Sequence, residues 1–189
     1  MPRAKEIHIP SVDELRLHLK RGPEPIFIGV DPGASGGAGA IYPGGFAEAW
    51  RLPRVKTKPA DADINGSLSL FHAFGHKDIR RRVQVVVEKT NAIRGDTPKT
   101  AFAMGRYRML WEVIFSAYNI PWDFVSPRKW KNALGLSSNK DESLRLARRL
   151  FPDVELPNKC DHDKAEGLLL ADYLRRTRFG NMLKPGEKL

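Results

Sequence analysis

The chain has 189 residues, of which 41% are hydrophobic and 29% are charged. This balance fits a globular domain with a substantial core and excludes a disordered protein. Lysine and arginine outnumber aspartate and glutamate by 32 to 22, and the net charge of +10 favours a polyanionic partner over a merely basic surface. The single cysteine, Cys160, excludes an internal disulfide and a cysteine-based zinc site. Without a long apolar run or a signal-peptide core, we expect a cytoplasmic protein that does not enter a membrane.

The first part of the chain predicts one short helix followed by three strands. Ser11 and Glu14 have the spacing of a capping box, which predicts a helix to about residue 20. This helix belongs to an N-terminal extension, residues 1–24. The strands form a predicted meander over residues 26–30, 38–42 and 46–52. An exposed loop is expected to follow, over residues 53–63.

The remaining chain alternates helices with two further strands. Helices are predicted over residues 64–74, 97–118, 127–134, 140–151 and 163–176, and strands over 83–87 and 121–125. A strand that follows a helix is expected to cross over right-handed and run parallel to its neighbour. The order predicts an α/β fold, a mixed five-stranded sheet flanked by helices on both faces. We expect one domain over residues 25–178 and a C-terminal tail over 179–189.

Four carboxylates lie where predicted elements begin or end. Asp31 ends the first strand, and Glu88 ends the valine-rich strand. Asp163 and Glu166 are three residues apart at the start of the last helix, and therefore on one helical face. If the two strands are parallel neighbours, their acids emerge at the sheet edge where α/β folds bind ligands. Carboxylates that cluster repel one another, which disfavours their ionised forms. Hard divalent cations such as Mg²⁺ bind carboxylate oxygens and offset this repulsion.

Each acid also has a purely structural interpretation. Asp31, which precedes Pro-Gly, fits a turn, and Glu88 fits a solvated strand end. Asp163 with Glu166 resembles a helix N-cap pair. Asp161 is a second candidate for that cap, which would leave Asp163 free for a metal ion. The ordered set of four is more specific than any one of these acids.

Three segments in this order resemble the RuvC family of Holliday-junction resolvases, particularly its divergent phage-type members. The matching segments are Ile28-Gly29-Val30-Asp31-Pro32-Gly33, Val85-Val86-Val87-Glu88 and residues 161–171. The resemblance spans roughly residues 26–176. It implies an RNase H-like nuclease domain and, for a phage-encoded member, a location in the host cytoplasm.

The resemblance further implies a magnesium-dependent endonuclease that nicks four-way or related branched DNA and leaves a 5′-phosphate and a 3′-hydroxyl. It implies that Asp31, Glu88, Asp163 and Glu166 are the metal ligands. The last of these is usually Asp in the family, and Glu166 keeps its charge on a longer arm. Two Mg²⁺ ions at each site could clamp a phosphodiester during in-line attack, with Mn²⁺ as an alternative.

The family also places lysines between its second and third acidic motifs, where this chain has Lys131 and Lys140. A lysine there could neutralise charge on the scissile phosphate, although a solvated basic loop explains it as well. Some members wedge an aromatic residue into the junction where this chain has Asn91, so this loop would have to act differently, through Ile93 or Arg94. All three residues of the loop are candidate DNA contacts. Arg128 and Lys129, which precede Lys131 in the chain, are further candidate DNA contacts.

The helix over residues 97–118 is apolar around nearly its whole circumference, so more than one of its sides must be buried. One side can face the sheet. Burial of the other side against a second copy of the chain predicts a two-fold homodimer, in line with the family. Burial within the monomer, beneath the N-terminal helix, is the alternative. Three cations near its start could contact phosphates or form a solvated stripe, namely Lys99, Arg106 and Arg108.

Other functions compete with junction resolution. A nuclease of the same fold could act on RNA–DNA hybrids or flaps, but RNase H proper has its second acid on a helix. An actin-like ATPase would need two phosphate loops and a longer chain. A non-catalytic branched-DNA-binding module would be marked by loss of acids, and all four are present. The sequence therefore favours the resolvase.

Overall fold

The computed structural model describes residues 8–33, 36–54, 63–90 and 97–180, and it contains a five-stranded sheet of order β3-β2-β1-β4-β5. The strands are β1 (Ile26–Asp31), β2 (Gly37–Ile41), β3 (Ala47–Arg51), β4 (Val83–Glu88) and β5 (Trp122–Val125). β2 is antiparallel to β1 and β3, whereas β4 is parallel to β1 and β5. The predicted mixed sheet and its parallel crossovers are confirmed.

Six helices are described, together with two single 3-10 turns, Arg80–Arg82 and Lys159–Asp161. The helices are α1 (Val12–Leu19), α2 (Ile64–His72), α3 (Pro98–Ala117), α4 (Pro127–Ala133), α5 (Lys140–Leu150) and α6 (His162–Gly180). α1 begins with the predicted capping box, because the Ser11 hydroxyl accepts from the Glu14 amide and the Glu14 carboxylate accepts from the Ser11 amide. α6 extends past the predicted end at residue 176. None of the described helices is both long and apolar enough to cross a membrane.

The helices cover both faces of the sheet, as predicted. On one face α1, α2 and α3 pack over the odd-numbered residues of β4 and the even-numbered residues of β1. On the other face α4, α5 and α6 pack over Phe27, Val86 and Val125. This division follows from the two-residue side-chain period of a strand.

The N-terminal segment predicted as an extension contributes to the main core. Leu15 of α1 has no exposed surface and belongs to the core of the α3 face. The Arg82 guanidinium donates to the carbonyls of Leu19, Gly22 and Glu24 at 3.0, 2.6 and 2.7 Å. One side chain thus fixes the path of the chain between α1 and β1.

α6 lies against β1 and β2 with almost no side chain between the backbones. A Cβ on Gly29 would overlap the carbonyl oxygen of Gly167 and the amide nitrogen of Ala171. A Cβ on Gly39 would likewise overlap the backbone of Leu168. These glycines let α6 approach the sheet closely, which sets the position of the helix start.

Candidate active site

Asp31 and Glu88 lie side by side at one edge of the sheet. β1 and β4 are parallel, with Val30 opposite Val87 in the register, so the acids that follow them emerge together. Strand alternation directs Asp31 to the same face as Phe27, and Glu88 to the same face as Val86. Both acids therefore face the side of the sheet that α6 covers.

The start of α6 brings two more acids to this edge. Gly37 pairs with Asp31 across β1 and β2, and a Cβ on Gly37 would overlap the backbone carbonyl of Asp163. Asp163 is therefore held beside the end of β1. Glu166 follows one helical turn later, and both residues are buried, at 3% exposure each.

The four carboxylates interact electrostatically. Burial raises the pKa of Asp31 well above its usual value, and the charges of Glu88, Glu166 and Asp163 raise it further. Burial also raises the pKa of Glu88; a hydrogen bond from Trp130 and the charges of nearby lysines oppose this shift only in part. The site therefore resists full ionisation unless positive charge is supplied.

Two lysines supply part of that charge. Lys131 Nζ lies 2.7 Å from Glu166 Oε1, and Lys140 Nζ lies 3.1 Å from Asp163 Oδ1. Burial lowers the pKa of Lys140, but its hydrogen bond to Asp163 and the surrounding carboxylates outweigh burial, so the pKa is raised. The structure thus places both predicted lysines with the acids. The Lys140 side chain is half exposed, at 50%, and can be reached from solvent.

Three neighbouring polar side chains were not predicted from the sequence. The buried Trp130 donates from Nε1 to Glu88 Oε2 at 2.6 Å, and the buried Ser143 donates from Oγ to Glu166 Oε1 at 3.0 Å. His162 Nε2 lies 3.2 Å from Asp163 Oδ1. Ser143 was detectable in principle, because it lies one helical turn after Lys140 and on the same face.

The donor chemistry of this site fits a hard divalent cation. Carboxylate oxygens are the ligands that Mg²⁺ prefers, and burial together with the charges of Glu88 and Glu166 raises the pKa of Asp31, so a bound cation would favour its ionised form. Within the described ranges, no three Asp, Glu, His or Cys side chains already have the spacing of a metal centre. The ammonium groups of Lys131 and Lys140 instead contact the acids of α6.

Asp161 has a structural role that separates it from these four acids. It accepts from the Asn158 amide at 2.9 Å and pairs with Arg51 of β3 at 3.1 Å. Burial raises its pKa, but the Asn158 amide, Arg51 and Lys164 lower it more, and the net shift is downward. Asp161 thus ties the turn before α6 to the sheet, which leaves Asp163 directed at the other acids.

The predicted DNA contacts lie in several places. Three of them are exposed, namely Lys99, Arg128 and Lys129. Arg108 instead donates to Glu112 at 2.8 Å, and its guanidinium lies 4.5 Å from the centre of the Phe124 ring. Arg106 lines an apolar groove on α3. The remaining three predicted contacts lie outside the described residues, namely Asn91, Ile93 and Arg94. DNA contact at all eight positions stays a prediction.

Comparison with known proteins places the fold. No family model and no curated protein match the sequence. Two solved structures of Thermus thermophilus RuvC each cover 82% of this chain and 96% of their own. The structure of that RuvC in complex with a Holliday junction substrate has a TM-score of 0.56 at 19% identity. The other RuvC structure has a TM-score of 0.50 at 20% identity.

A third solved structure, the yeast mitochondrial Holliday junction resolvase, has a TM-score of 0.44 at 14% identity and covers 90% of this chain and 88% of its own. The likeness to RuvC establishes the fold. The chain has a RuvC-type, RNase H-like α/β fold, which confirms the fold predicted from the sequence motifs.

Proposed function

We propose that the protein is a metal-dependent, structure-selective DNA endonuclease that resolves Holliday junctions or related branched DNA by paired symmetric nicks. The observation that carries this proposal is the convergence of Asp31, Glu88, Asp163 and Glu166 at one sheet edge of a RuvC-type fold. The net charge of +10 supports a polyanionic substrate.

Each residue of the site has a distinct part in this proposal. The four acids would hold two Mg²⁺ ions, with Mn²⁺ as a substitute, and the bound ions would activate water and stabilise the leaving oxygen. Lys140, half exposed at the rim, can release Asp163 and place its charge against the scissile phosphate. Lys131 neutralises Glu166 from a more buried position.

The direct test is incubation with a synthetic four-way junction and Mg²⁺. Linear duplex and an RNA–DNA hybrid of matched sequence serve as competing substrates. We expect symmetric nicks in the junction alone, with 5′-phosphate and 3′-hydroxyl ends. Preferred cutting of the hybrid would replace the proposal with an RNase H-type activity, and binding without any cutting would replace it with a DNA-binding module.

We further propose that two chains pair through α3. Trp111, Ile114 and Phe115 bury one side of α3 in the core. The opposite side stays apolar, with Met109 and Val113 exposed at 66% and 59%. An apolar surface of this kind on a helix is typical of a partner interface. A two-fold dimer would present two active sites to the two equivalent strands of a junction.

The double substitution Met109→Asp/Val113→Asp is expected to produce a folded monomer, because two carboxylates would be desolvated at the interface. Sedimentation and light scattering measure the mass, and a junction assay measures whether two nicks occur within one binding event. We expect loss of paired nicking with single nicks retained. Leu17→Asp, at another exposed apolar position on α1, is the matched control and should stay dimeric. A monomeric wild-type protein, with and without DNA, would contradict the dimer.

Replacing Trp130 with phenylalanine is expected to weaken metal-dependent cleavage. The change removes the donor to Glu88, and because that hydrogen bond lowers the pKa of Glu88, its loss raises the pKa further. The acid limb of the pH–rate profile should therefore move to higher pH. The Mg²⁺ concentration for half-maximal cleavage should rise about 10-fold, as is typical when a partner of a metal ligand is lost.

Trp111→Phe is the control for this substitution. Trp111 is as deeply buried as Trp130, and its indole nitrogen has no hydrogen-bond partner within the described residues. Both substitutions remove the same ring atoms and so a similar amount of packing, and Trp130→Phe should lower the free energy of unfolding further because it also removes the hydrogen bond to Glu88. Only Trp130→Phe should alter the pH and Mg²⁺ dependence. Equal shifts in both variants would show that packing, and not the hydrogen bond to Glu88, is responsible.

A further inference from the structure

An open groove of about 640 Å³ runs along the edge strand β5 on the face that α6 covers. Gln84 and Val86 of β4 line it beside β5, and Tyr173 and Thr177 line it from the last turns of α6. The cleavage site proposed above uses none of these residues. Among the residues that the structure describes, no sixth strand pairs with β5, so this side of the groove is open.

The charge of the groove is positive. In the described part of the chain, one acid lines the groove, Asp123, against four cations. The cations come from the turn before β4, from α4 and from the end of α6, and they are Arg81, Lys129, Arg176 and Arg178. Arg176 is paired with the buried Asp172 at 2.7 Å. The side chains of the other three cations are exposed and form no ion pair or hydrogen bond within the described ranges. They are therefore available to an external anion.

The groove begins next to the active-site acids. Lys129 follows four residues after Val125, which pairs with Glu88 in the sheet. Arg81 lies at the other end, seven residues before Glu88. Because a strand rises about 3.3 Å per residue, the far end of the groove is roughly 20 Å from the acids. A duplex arm that lies parallel to the groove rises about 3.4 Å along its axis per base pair, so this distance corresponds to roughly six nucleotides of one strand.

We propose that this groove binds the sugar–phosphate backbone of a junction arm. Arg81 and Arg178, at the end of the groove far from the acids, would contact phosphates roughly six nucleotides from the cut. The inference rests on the proposed function for the position of the cut, whereas binding of a polyanion rests on the groove alone. A row of cations that outnumbers the acids lining the groove fits a phosphate backbone better than an added protein strand, which would need only the backbone groups of β5.

The test is the double substitution Arg81→Ala/Arg178→Ala, at two exposed positions. Affinity for a four-way junction is measured at several salt concentrations. Loss of two phosphate contacts should reduce the slope of log Kd against log salt by about 2 and weaken binding roughly tenfold near 0.1 M salt. Arg145→Ala/Arg149→Ala on α5 removes the same charge from exposed positions outside the groove and should leave the slope unchanged.

Neutral methylphosphonate linkages locate the contact on the DNA. Placed four to eight nucleotides from the cut, they should weaken wild-type binding but have little further effect on the Arg81→Ala/Arg178→Ala variant. Unchanged slopes in this variant would overturn the groove proposal and leave the β5 edge open to a protein strand. Cleavage by the wild-type protein is scored in parallel. A changed slope in the variant without junction cleavage by the wild-type protein would support the groove proposal and reject the proposed nuclease activity. Junction cleavage with an unchanged slope would reject only the groove proposal.

Discussion

Replacing Asp31 with asparagine is expected to abolish junction cleavage, with a loss of at least about 10³-fold, equivalent to roughly 4 kcal/mol of transition-state stabilisation. Asp31 lies at the centre of the cluster, since the charges of Glu88, Glu166, Asp163 and Lys140 all act on it. Junction binding should change little, because affinity comes mainly from basic residues. Single-turnover cleavage and a binding titration in Ca²⁺ measure the two effects separately.

Asp153→Asn provides the matched control, since Asp153 is exposed and lines a pocket that none of the four acids lines. It should cleave at the wild-type rate. Cleavage by Asp31→Asn at more than a tenth of the wild-type rate would remove Asp31 from the catalytic set. Loss of binding together with cleavage would indicate that the substitution damages the fold instead of the chemistry.

The same substitution is expected to stabilise the metal-free protein. The pKa of Asp31 is raised, so its ionised form is disfavoured in the fold, and stability falls as the pH rises above the ordinary carboxyl value. Asparagine removes this cost at neutral pH. Melting in EDTA should show a higher Tm for the variant. The expected increase is about 2–4 °C for each kcal/mol gained in the free energy of unfolding. Added Mg²⁺ should stabilise the wild-type protein more than the variant.

Replacing Gly29 with valine is expected to destabilise the protein by more than about 4 kcal/mol, a large part of the stability of an ordinary domain. The new side chain would overlap backbone atoms of Gly167 and Ala171, which cannot move without shifting α6 away from the sheet. Because α6 carries Asp163 and Glu166, these two acids would move away from Asp31 and Glu88 when α6 leaves the sheet. Urea unfolding at fixed protein concentration measures the effect.

Gly105→Ala tests the specificity of this argument. A Cβ on Gly105 meets no atom within 4 Å, and the residue lies within α3. Alanine is favoured over glycine inside a helix by up to about 1 kcal/mol, so this variant should be slightly more stable. A Gly29→Val protein with near wild-type stability would show that α6 does not depend on close contact with β1.

Local patterns were sufficient to predict the elements and the positions of the acids. The valine-rich run predicted β4, and the two-residue period of a strand with parallel pairing explains why Asp31 and Glu88 share an edge and a face. The capping box of α1 depends on residues three apart and was likewise found in the sequence. Interactions within one turn or one strand leave a direct trace in the sequence.

Contacts between distant segments could not be predicted in this way. The hydrogen bond from Trp130 to Glu88 joins residues 42 positions apart, and the bonds from Arg82 to the end of α1 span about 60. Both depend on how helices pack on the sheet and not on local spacing. The alternatives left open for Asp161 also required the structure, because its partner Arg51 lies 110 positions away.

The most direct test of the metal site is the anomalous diffraction of crystals soaked in Mn²⁺. Manganese peaks should lie among the oxygens of Asp31, Glu88, Asp163 and Glu166, with the lysine ammonium groups moved off the two acids of α6. Soaked crystals of Asp31→Asn should lose at least one peak. Ordered manganese elsewhere in the wild-type protein, with none among these four carboxylates, would contradict the assignment.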